Sequence, residues 1–333
     1  MPGLLQIART PFLIRTFLKN INYQQRFLKS HLGKLLDEAE KNSDGTLDES
    51  DFKKIYKYYG LAVPAILGEE FAVLRGKPLS ERERLALSYQ GAMTGLVDDF
   101  FDRRDMSEEK LLAFINDPDI VTPSNSGERL FLHLFKKSME LTHHPSLTQH
   151  YLPKVYLAQV ASIAQERPGL SKDELKKLTI DKGGSSLLYY RSVMENPFIA
   201  KEEEAFYLVG GMTQFGNDIF DVYKDTLNNI RTLMSTTTRV NDVRNDFRQL
   251  QAEVHAAFYE TGYEKKNIRE FLRMVSLSLC SRCYVCLDQL EAVEKKYGGS
   301  FIPREYSRKE LVCDMDTSKN KWRSLKHFWR QKY

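Results

Sequence analysis

The chain has 333 residues, of which 42% are hydrophobic and 28% are charged, and its formal net charge is +4. This composition is typical of a folded protein with a substantial core, and it excludes a largely disordered chain. No apolar run reaches the roughly 18 residues that a membrane-spanning helix needs, and the N-terminus lacks the pattern of a secretory signal. We therefore expect a cytoplasmic protein.

Helical spacing of apolar residues recurs along the chain, without sustained strand-like alternation. The sequence therefore predicts an all-α, single-domain bundle of roughly ten or more helices over residues 1–318. A basic tail follows over residues 319–333, with six Lys or Arg and no acid. The rest of the chain is close to neutral, which argues against binding to nucleic acid.

The first predicted helix covers residues 11–40. A second helix is expected to begin at Thr46 as N-cap, because Glu49 stands three residues later in a capping-box pattern. Pro64 and Gly68 are expected to interrupt the helix that follows.

A long helix is predicted to start at Ser80, with Glu83 completing its capping box, and to end in three carboxylates, Asp98, Asp99 and Asp102. Residues three or four apart share one helix face. Like charges crowded in this way raise one another's pKa unless a cation lies between them. Oxygen ligands of this kind suit Mg²⁺, which takes its remaining ligands from water and from a substrate phosphate.

Two further helices are predicted over residues 128–141 and 147–166, and another begins at Ser171. That helix runs through Gly183 and Gly184, and two glycines inside a helix cost about 2 kcal/mol relative to alanine. A kink or a close approach of the backbone to a ligand is the best explanation for them. Lys182, beside the glycines, could reach a phosphate.

A second acidic helix is predicted over residues 202–229, with Asn217, Asp221 and Asp225 spaced by four and Asp218 beside them. The alternative to a binding site is a solvated helix face, as acidic runs usually are. However, both acidic stretches are embedded among apolar and small residues. Two such helices facing each other could hold Mg²⁺ ions with a diphosphate between them.

The last long helices are predicted over residues 241–259 and 265–297. The second contains Cys280, Cys283 and Cys286, whose spacing could serve zinc or an iron–sulfur cluster. The surrounding pattern is helical and lacks the turns of a cluster loop, so packing on one helix face is the favoured interpretation.

The tail places Trp322, Leu325 and Trp329 on one helix face among basic residues. A basic amphipathic helix with aromatic side chains suits an anionic membrane surface, which predicts a peripheral membrane contact through residues 319–333. The alternative is a terminal helix that packs on the body of the protein, and it is the favoured one.

These acidic stretches resemble two motifs of the class I isoprenoid synthases, the superfamily of trans-prenyl diphosphate synthases and terpene cyclases. Asp98-Asp99-Phe-Phe-Asp102 is similar to their DDxxD motif, and Gln214-x-x-Asn217-Asp218-x-x-Asp221 is similar to their second aspartate-rich motif. The resemblance covers about residues 80–235. It implies a terpenoid-synthase-like bundle with the active site in a central cavity, and a homodimer is one expected assembly.

The resemblance also implies roles for individual residues. Seven ligands would hold three Mg²⁺ ions: Asp98, Asp99, Asp102, Asn217, Asp218, Asp221 and Asp225. Other residues would bind the substrate, an allylic isoprenoid diphosphate: Lys182, Arg231, Gln159, Gln214, Phe101 and Tyr189. Phe101 and Tyr189 would stabilise the allylic cation through their aromatic rings.

The sequence departs from the prenyl synthases in ways that bear on the reaction. Asn217 replaces an Asp, Gly183 stands where those enzymes have Thr, and the Gly-Gly-Lys-Arg motif for isopentenyl diphosphate is absent. These departures favour an enzyme that ionises one allylic diphosphate and cyclises or quenches the cation. Condensation with isopentenyl diphosphate and a non-catalytic, prenyl-lipid-binding relative stay open as alternatives, with head-to-head coupling a weaker one.

Overall fold

The computed structural model describes residues 2–103 and 107–331. Its secondary structure is helical throughout, and no strand occurs within those residues, so the predicted all-α class is confirmed. The first nine helices are α1 (Pro2–His31), α2 (Gly33–Lys41), α3 (Glu49–Lys53), α4 (Tyr59–Ala62), α5 (Glu69–Arg75), α6 (Glu81–Arg103), α7 (Glu108–Asn116), α8 (Ser126–Leu141) and α9 (Pro145–Ser162). The others are α10 (Lys172–Arg191), α11 (Glu202–Phe220), α12 (Val222–Leu227), α13 (Leu233–Thr236), α14 (Val240–Tyr259), α15 (Lys265–Val275), α16 (Ser281–Lys296), α17 (Arg308–Leu311) and α18 (Ser318–Arg330).

Several helix boundaries differ from the predicted ones. The first helix begins at Pro2 instead of residue 11, and Leu32 separates it from α2. Pro64 and Gly68 do not interrupt their helix: they lie in a π-helical turn, Val63–Gly68, between α4 and α5. A second π-helical turn, Lys54–Tyr58, joins α3 to α4. The extra residue of a π-turn lets a helix accommodate such residues without ending.

The predicted capping boxes have different outcomes. The box of Ser80 and Glu83 is confirmed, because the Ser80 amide donates to the Glu83 carboxylate and the Glu83 amide donates to the Ser80 hydroxyl. The cap at Thr46 is wrong. Asp48 caps α3, with its carboxylate accepting from the amide of Asp51 and the Asp51 carboxylate accepting in return. A carboxylate is a better cap than a threonine hydroxyl, and it also favours the helix dipole.

The chain forms two compact units. Unit 1 comprises Met1–Pro11, Lys154–Leu188 and Phe198–Tyr333, and unit 2 comprises Phe12–Pro153 and Tyr189–Pro197. A compact unit is not the same as an independently folding domain, so the single-domain prediction stays a prediction.

Unit 2 is organised around α6, which packs against α8 and against the helical segment from α3 to α5. Leu87 and Met93 of α6 and Phe131 and Phe135 of α8 are buried, and the ring of Phe100 in α6 meets that of Phe131 edge-on, with centroids 5.7 Å apart. A buried polar contact also joins helices of this unit, because the Gln24 amide of α1 donates to the Ser88 hydroxyl of α6 at 2.8 Å. This packing fixes the far end of α6, where the first acidic stretch lies.

Unit 1 has its core between α11, α14, α15 and α16. Phe206, Phe258 and Phe271 are fully buried and meet edge-on or tilted, with ring centroids 4.6 to 6.1 Å apart. Such aromatic contacts contribute roughly 0.5–1.5 kcal/mol each beyond the burial of their area. They hold α11, which carries the second acidic stretch.

The three cysteines predicted to pack inside a helix do so. Cys280 ends a π-helical turn, and Cys283 and Cys286 lie in α16, all of them buried and none in a disulfide. Burial raises the pKa of the Cys283 thiol to about 12, so this sulfur is a neutral thiol at physiological pH.

The basic tail forms α18, which packs on α16 of unit 1. Phe328 is fully buried, whereas Trp322 is 52% exposed. The indole of Trp329 donates a 2.8 Å hydrogen bond to the Thr10 hydroxyl. The tail therefore packs on the body of the protein, and the membrane contact stays a prediction. Within the described ranges, no helix combines the length and the apolar character needed to cross a bilayer.

Candidate functional site

The sequence predicts one continuous helix over the second acidic stretch, but the structure has two. α11 ends at Phe220, Asp221 adopts a turn conformation with φ −89° and ψ 8°, and α12 begins at Val222. The chain nevertheless keeps helical spacing, because the amide of Asp221 donates to the Asn217 carbonyl and the amide of Asp225 donates to the Asp221 carbonyl, each at 2.8 Å. Asn217, Asp221 and Asp225 therefore follow one another by successive helical turns. We call these three residues and Asp218 the acidic strip.

Asp218 is the most buried member of the acidic strip, with only 4% of its surface exposed. Its carboxylate accepts hydrogen bonds of 2.9 Å from the Thr179 hydroxyl and from the Gln214 amide. Burial raises the pKa of Asp218 to about 6, while the two hydrogen bonds and the charge of Lys182 act in the opposite direction. The carboxylate is thus held in a fixed orientation. Burial disfavours its charged form, and a nearby cation would reduce that penalty.

Asp225 shows the effect of crowding most clearly. Burial, followed by the charges of Asp218 and Asp221, raises the pKa of Asp225 to about 8. Burial also raises the pKa of Asp221, although Lys224 and a 3.3 Å hydrogen bond from Asn217 oppose the change. Burial raises the pKa of all three carboxylates, and neighbouring acidic charges add to the shift at Asp218 and Asp225. Titratable groups perturbed in this way are common at functional sites.

The two glycines of α10 allow a helix crossing. A Cβ atom on Gly183 would lie less than 3.0 Å from the backbone carbonyl of Gly210 in α11, and a Cβ atom on Gly184 would strike the ring of Tyr207. The predicted close approach is therefore present, but the backbone approaches α11 and not a ligand. The crossing brings Thr179 and Lys182 of α10 beside Asp218.

Two more residues of the predicted substrate-binding set lie in unit 1. The backbone of Arg231 exchanges two hydrogen bonds with Gln165, at 2.8 and 3.0 Å. Its Nε atom is buried and has no hydrogen-bond partner among the described residues. Gln159 is half-buried in α9, where its carbonyl accepts from Ser162 at 2.7 Å. Arg231 thus offers a donor to an anion. Among the described residues, no hydrogen bond connects Gln159 to the acidic strip.

The first acidic stretch lies at the end of α6 in unit 2. Asp98 is half-buried, and its charge adds to burial in raising the pKa of Tyr190. The Tyr190 hydroxyl shares a 2.7 Å hydrogen bond with Thr94, one helical turn before Asp98. Tyr189 is buried beside Tyr190, with ring centroids 6.2 Å apart. A predicted cation-stabilising ring and a predicted metal ligand therefore belong to the same unit.

Asp99 has a different environment from Asp98. Lys54, in the π-helical turn before α4, forms an ion pair with its carboxylate. Asp51 shares a hydrogen bond with Asp99, and burial together with this contact raises the pKa of Asp51 to about 6. Asp99 is 9% exposed. Its carboxylate is thus already engaged by a cation and by a second carboxyl group.

The remaining members of the predicted site cannot be placed in the same detail. Phe101 and Asp102 continue α6, but their side chains lie outside the described residues. Nothing further follows for their predicted roles.

Three residues beside the two acidic stretches were not predicted from the sequence. Thr179 stands three residues before Lys182, so helical spacing could have identified it as a neighbour on the same face. Lys54 and Asp51 are separated from Asp99 by more than 40 residues, and no local pattern connects them.

The donor chemistry of the acidic strip fits Mg²⁺. No three histidine, cysteine or carboxylate groups gather tightly enough to hold a metal by themselves in the described part of the chain. Mg²⁺, however, requires only one or two protein carboxylates when water and substrate phosphates complete its octahedron. The crowded carboxylates of Asp218, Asp221 and Asp225, with the amide oxygen of Asn217, provide that number.

Comparisons of the chain with protein-family models, with curated proteins and with solved structures find no match.

Proposed function

We propose that this protein ionises an allylic isoprenoid diphosphate in a Mg²⁺-dependent reaction that releases diphosphate. The observation that carries the proposal is the acidic strip, in which Asp218 and Asp225 have pKa values raised to about 6 and about 8 beside Lys182. A surface strip of solvated carboxylates has no such shifts. Carboxylates held together in this way favour a multiply charged ligand that contains both cations and phosphate.

Mg²⁺ would be held by Asp218, Asp221 and Asp225 with Asn217, and by Asp98, Asp99 and Asp102 from α6. When bound, it would neutralise the charge that develops on a departing diphosphate. Asp218 is the best-oriented of these ligands, because Thr179 and Gln214 each donate to its carboxylate.

Lys182 and Arg231 would bind the diphosphate directly. The charge of Lys182 already acts on Asp218 and Asp225, and the buried Nε atom of Arg231 has an unused donor among the described residues. Hydrogen bonds between charged donors and phosphate are roughly twice as strong as neutral ones. Gln214 would keep Asp218 in place, and Gln159 belongs to the proposal only through its position in the sequence.

The proposal includes a terpenoid-synthase-like bundle with its active site in a central cavity. Phe101 and Tyr189 would then line the part that accepts the hydrocarbon, where aromatic faces stabilise a carbocation. A homodimer and a peripheral membrane contact through residues 319–333 are part of the same proposal.

A second candidate function is a non-catalytic protein that binds prenyl lipids. The ion pair between Lys54 and Asp99 favours it, since a lysine occupies a carboxylate that the reaction would need for metal. The near-complete set of oxygen ligands favours the enzyme, because a binder has little need for seven of them.

The test is to incubate the protein with geranyl, farnesyl and geranylgeranyl diphosphates and Mg²⁺, with and without isopentenyl diphosphate. Released diphosphate is measured, and organic extracts are analysed by gas chromatography with mass spectrometry. Release without isopentenyl diphosphate, with a hydrocarbon or alcohol product, supports the proposal. Release only in its presence indicates an elongating synthase. Absence of release from every substrate contradicts catalysis, and tight binding of a fluorescent prenyl analogue would then support the second candidate.

A further inference from the structure

Unit 1 contains a surface cavity of about 440 Å³ that belongs to neither acidic stretch. Its walls come from α14, α16, α18 and the residue that follows α18. This volume is in the range of small-molecule sites, roughly 300–1,000 Å³. Its lining includes Arg244, Arg248 and Gln251 of α14, Tyr284 of α16, and His327 and Arg330 of α18.

The cavity is basic. Three arginines and two histidines line it, and none of the described residues in its lining is a carboxylate. Guanidinium groups remain charged at every physiological pH. A concave surface with one sign of charge concentrates ions of the opposite sign. The cavity therefore favours an anion.

Two of the basic residues are held in position by acids outside the lining. Arg244 is largely buried, forms an ion pair with Glu291 and donates to Asp288 at 2.9 Å. His327 shares a 2.8 Å hydrogen bond with the same Asp288. These contacts fix the guanidinium and the imidazole, so that little rotational freedom is lost when a ligand binds.

The other two arginines provide the positive charge of the cavity that is not paired with an acid among the described residues. Arg248 and Arg330 are exposed, on α14 and α18 respectively. No ion pair connects either of them to a carboxylate among the described residues. Their positive charges are therefore available to a ligand, in contrast to that of Arg244.

The uncharged lining adds donors and a flat apolar surface. Tyr284 stacks on His327, with ring centroids 5.5 Å apart and planes inclined by 29°. The Gln251 amide donates to the Gln331 side-chain oxygen at 2.8 Å, and the Tyr284 hydroxyl donates to the Gln251 oxygen at 2.7 Å. This network links α14, α16 and the end of the chain around one basic opening.

From this geometry we infer that the cavity formed by α14, α16 and α18 binds a phosphate or diphosphate group, with Arg248 and Arg330 as its main contacts. Guanidinium groups bind phosphate oxygens through pairs of parallel hydrogen bonds, which a spherical chloride ion cannot accept. A soluble phosphate ester and a phospholipid headgroup both present this chemistry. The inference does not depend on the proposed function, because none of these residues belongs to the acidic stretches and no Mg²⁺ is involved.

The test uses the full chain in EDTA, where a Mg²⁺-dependent site cannot contribute. Isothermal titration calorimetry measures the binding of inorganic phosphate and inorganic diphosphate. The double variant Arg248→Gln/Arg330→Gln is compared with the control Arg239→Gln/Arg269→Gln, which removes two exposed arginines of the same unit outside the cavity. Circular dichroism and melting temperature verify that both double variants are folded.

We expect diphosphate to bind the natural chain and the control variant equally, with at least a tenfold loss of affinity in Arg248→Gln/Arg330→Gln. Sedimentation with phosphatidic acid vesicles, compared with phosphatidylcholine vesicles, shows whether the bound phosphate group belongs to a lipid headgroup or to a soluble ester. Co-sedimentation that requires the two arginines indicates a lipid headgroup, and binding of soluble diphosphate alone indicates a soluble ester. The inference is overturned if none of these probes binds, or if the two double variants bind alike.

Discussion

The Thr179 hydroxyl donates a 2.9 Å hydrogen bond to the Asp218 carboxylate, and both side chains are buried. This contact joins α10 to α11 and orients the most buried member of the acidic strip. We regard Thr179 as a positioning residue of the proposed site, because it acts on the substrate only through Asp218.

Thr179→Val keeps the shape of the side chain and removes the donor. Loss of a hydrogen bond to a buried charged group costs about 1.5–3 kcal/mol, so we expect at least a tenfold slower release of diphosphate and a higher Mg²⁺ requirement. Rates are measured over a range of Mg²⁺ concentrations. Thr213→Val is the control, since that hydroxyl bonds only to a carbonyl of its own helix. Thr179→Ser should restore the Mg²⁺ dependence of the natural chain. A Mg²⁺ dependence in Thr179→Val equal to that of the natural chain would contradict the positioning role.

Asp218→Asn removes the charge from the strip and retains the side-chain volume. We expect diphosphate release to fall by about a hundredfold or more, in the range found when a single preorganised electrostatic contact is removed. The control is Asp316→Asn, because the Asp316 side chain is 99% exposed. Far-ultraviolet circular dichroism verifies the helical content of both variants. Normal turnover in Asp218→Asn would refute the assignment of the acidic strip as the reaction site.

Asp225 predicts how stability depends on pH. Its pKa is about 8 in the folded protein, against an ordinary value of 3.8 for an aspartate, so the folded state binds this proton more tightly than the unfolded state does. The associated stability is fully present below about pH 4 and is lost progressively as the pH rises through 8. Asp225→Asn should therefore lose less stability between pH 5 and pH 9 than the natural chain. Urea unfolding in EDTA measures both free energies.

The control for this experiment is Mg²⁺. A bound cation should raise the free energy of unfolding of the natural chain at pH 9, where the strip is charged, and should have a smaller effect on Asp225→Asn. Parallel pH profiles for the two proteins would show that the carboxylate of Asp225 is not crowded.

Gly183→Ala should destabilise the crossing of α10 and α11. Its Cβ atom would lie less than 3.0 Å from the Gly210 carbonyl, where only the backbone could move to relieve the clash. We expect a loss of about 1–3 kcal/mol, as for other overpacked sites, measured by urea unfolding. Gly33→Ala is the matched control, because its Cβ atom would have only an ordinary 3.8 Å contact. That variant should be neutral or gain up to about 1 kcal/mol. Equal effects at both sites would exclude the crossing.

Phe328 tests the packing of the basic tail. Phe328→Ala should cost about 3–5 kcal/mol in free energy of unfolding, as for other buried phenylalanines, because Phe328 is fully buried. Trp322→Ala should cost less than about 1 kcal/mol, since Trp322 is 52% exposed. Thermal or urea unfolding separates the two variants. Comparable small losses would mean that α18 is not docked.

The sequence allowed the helices, the cap of the long helix and the acidic strip to be predicted, because all of them depend on residues that are close in the chain. Ser80 and Glu83 form the predicted box since three residues separate them. Thr46 and Asp48 are both acceptable N-caps, so the position of the cap depends on where α3 begins, which the spacing from Thr46 to Glu49 predicts wrongly.

Contacts between distant residues could not be predicted in this way. The ion pair of Lys54 with Asp99 depends on a π-helical turn that no residue pattern signals. Gly183 and Gly184 predict a kink or a close approach of the backbone to a ligand, whereas the fold shows a close approach to α11. The cavity at Arg248 and Arg330 is lined by helices that lie more than 50 residues apart in the sequence, so no local pattern predicts it.

The crossing of α10 and α11 also has an evolutionary consequence. Core side chains can be exchanged for others of similar volume, but where two backbones meet, no replacement of glycine leaves them in place. A Cβ atom on Gly183 would lie less than 3.0 Å from the Gly210 carbonyl oxygen, and one on Gly210 would lie less than 3.0 Å from the Gly183 carbonyl oxygen. Orthologous chains that preserve this crossing should therefore keep these two glycines while the apolar residues around them diverge.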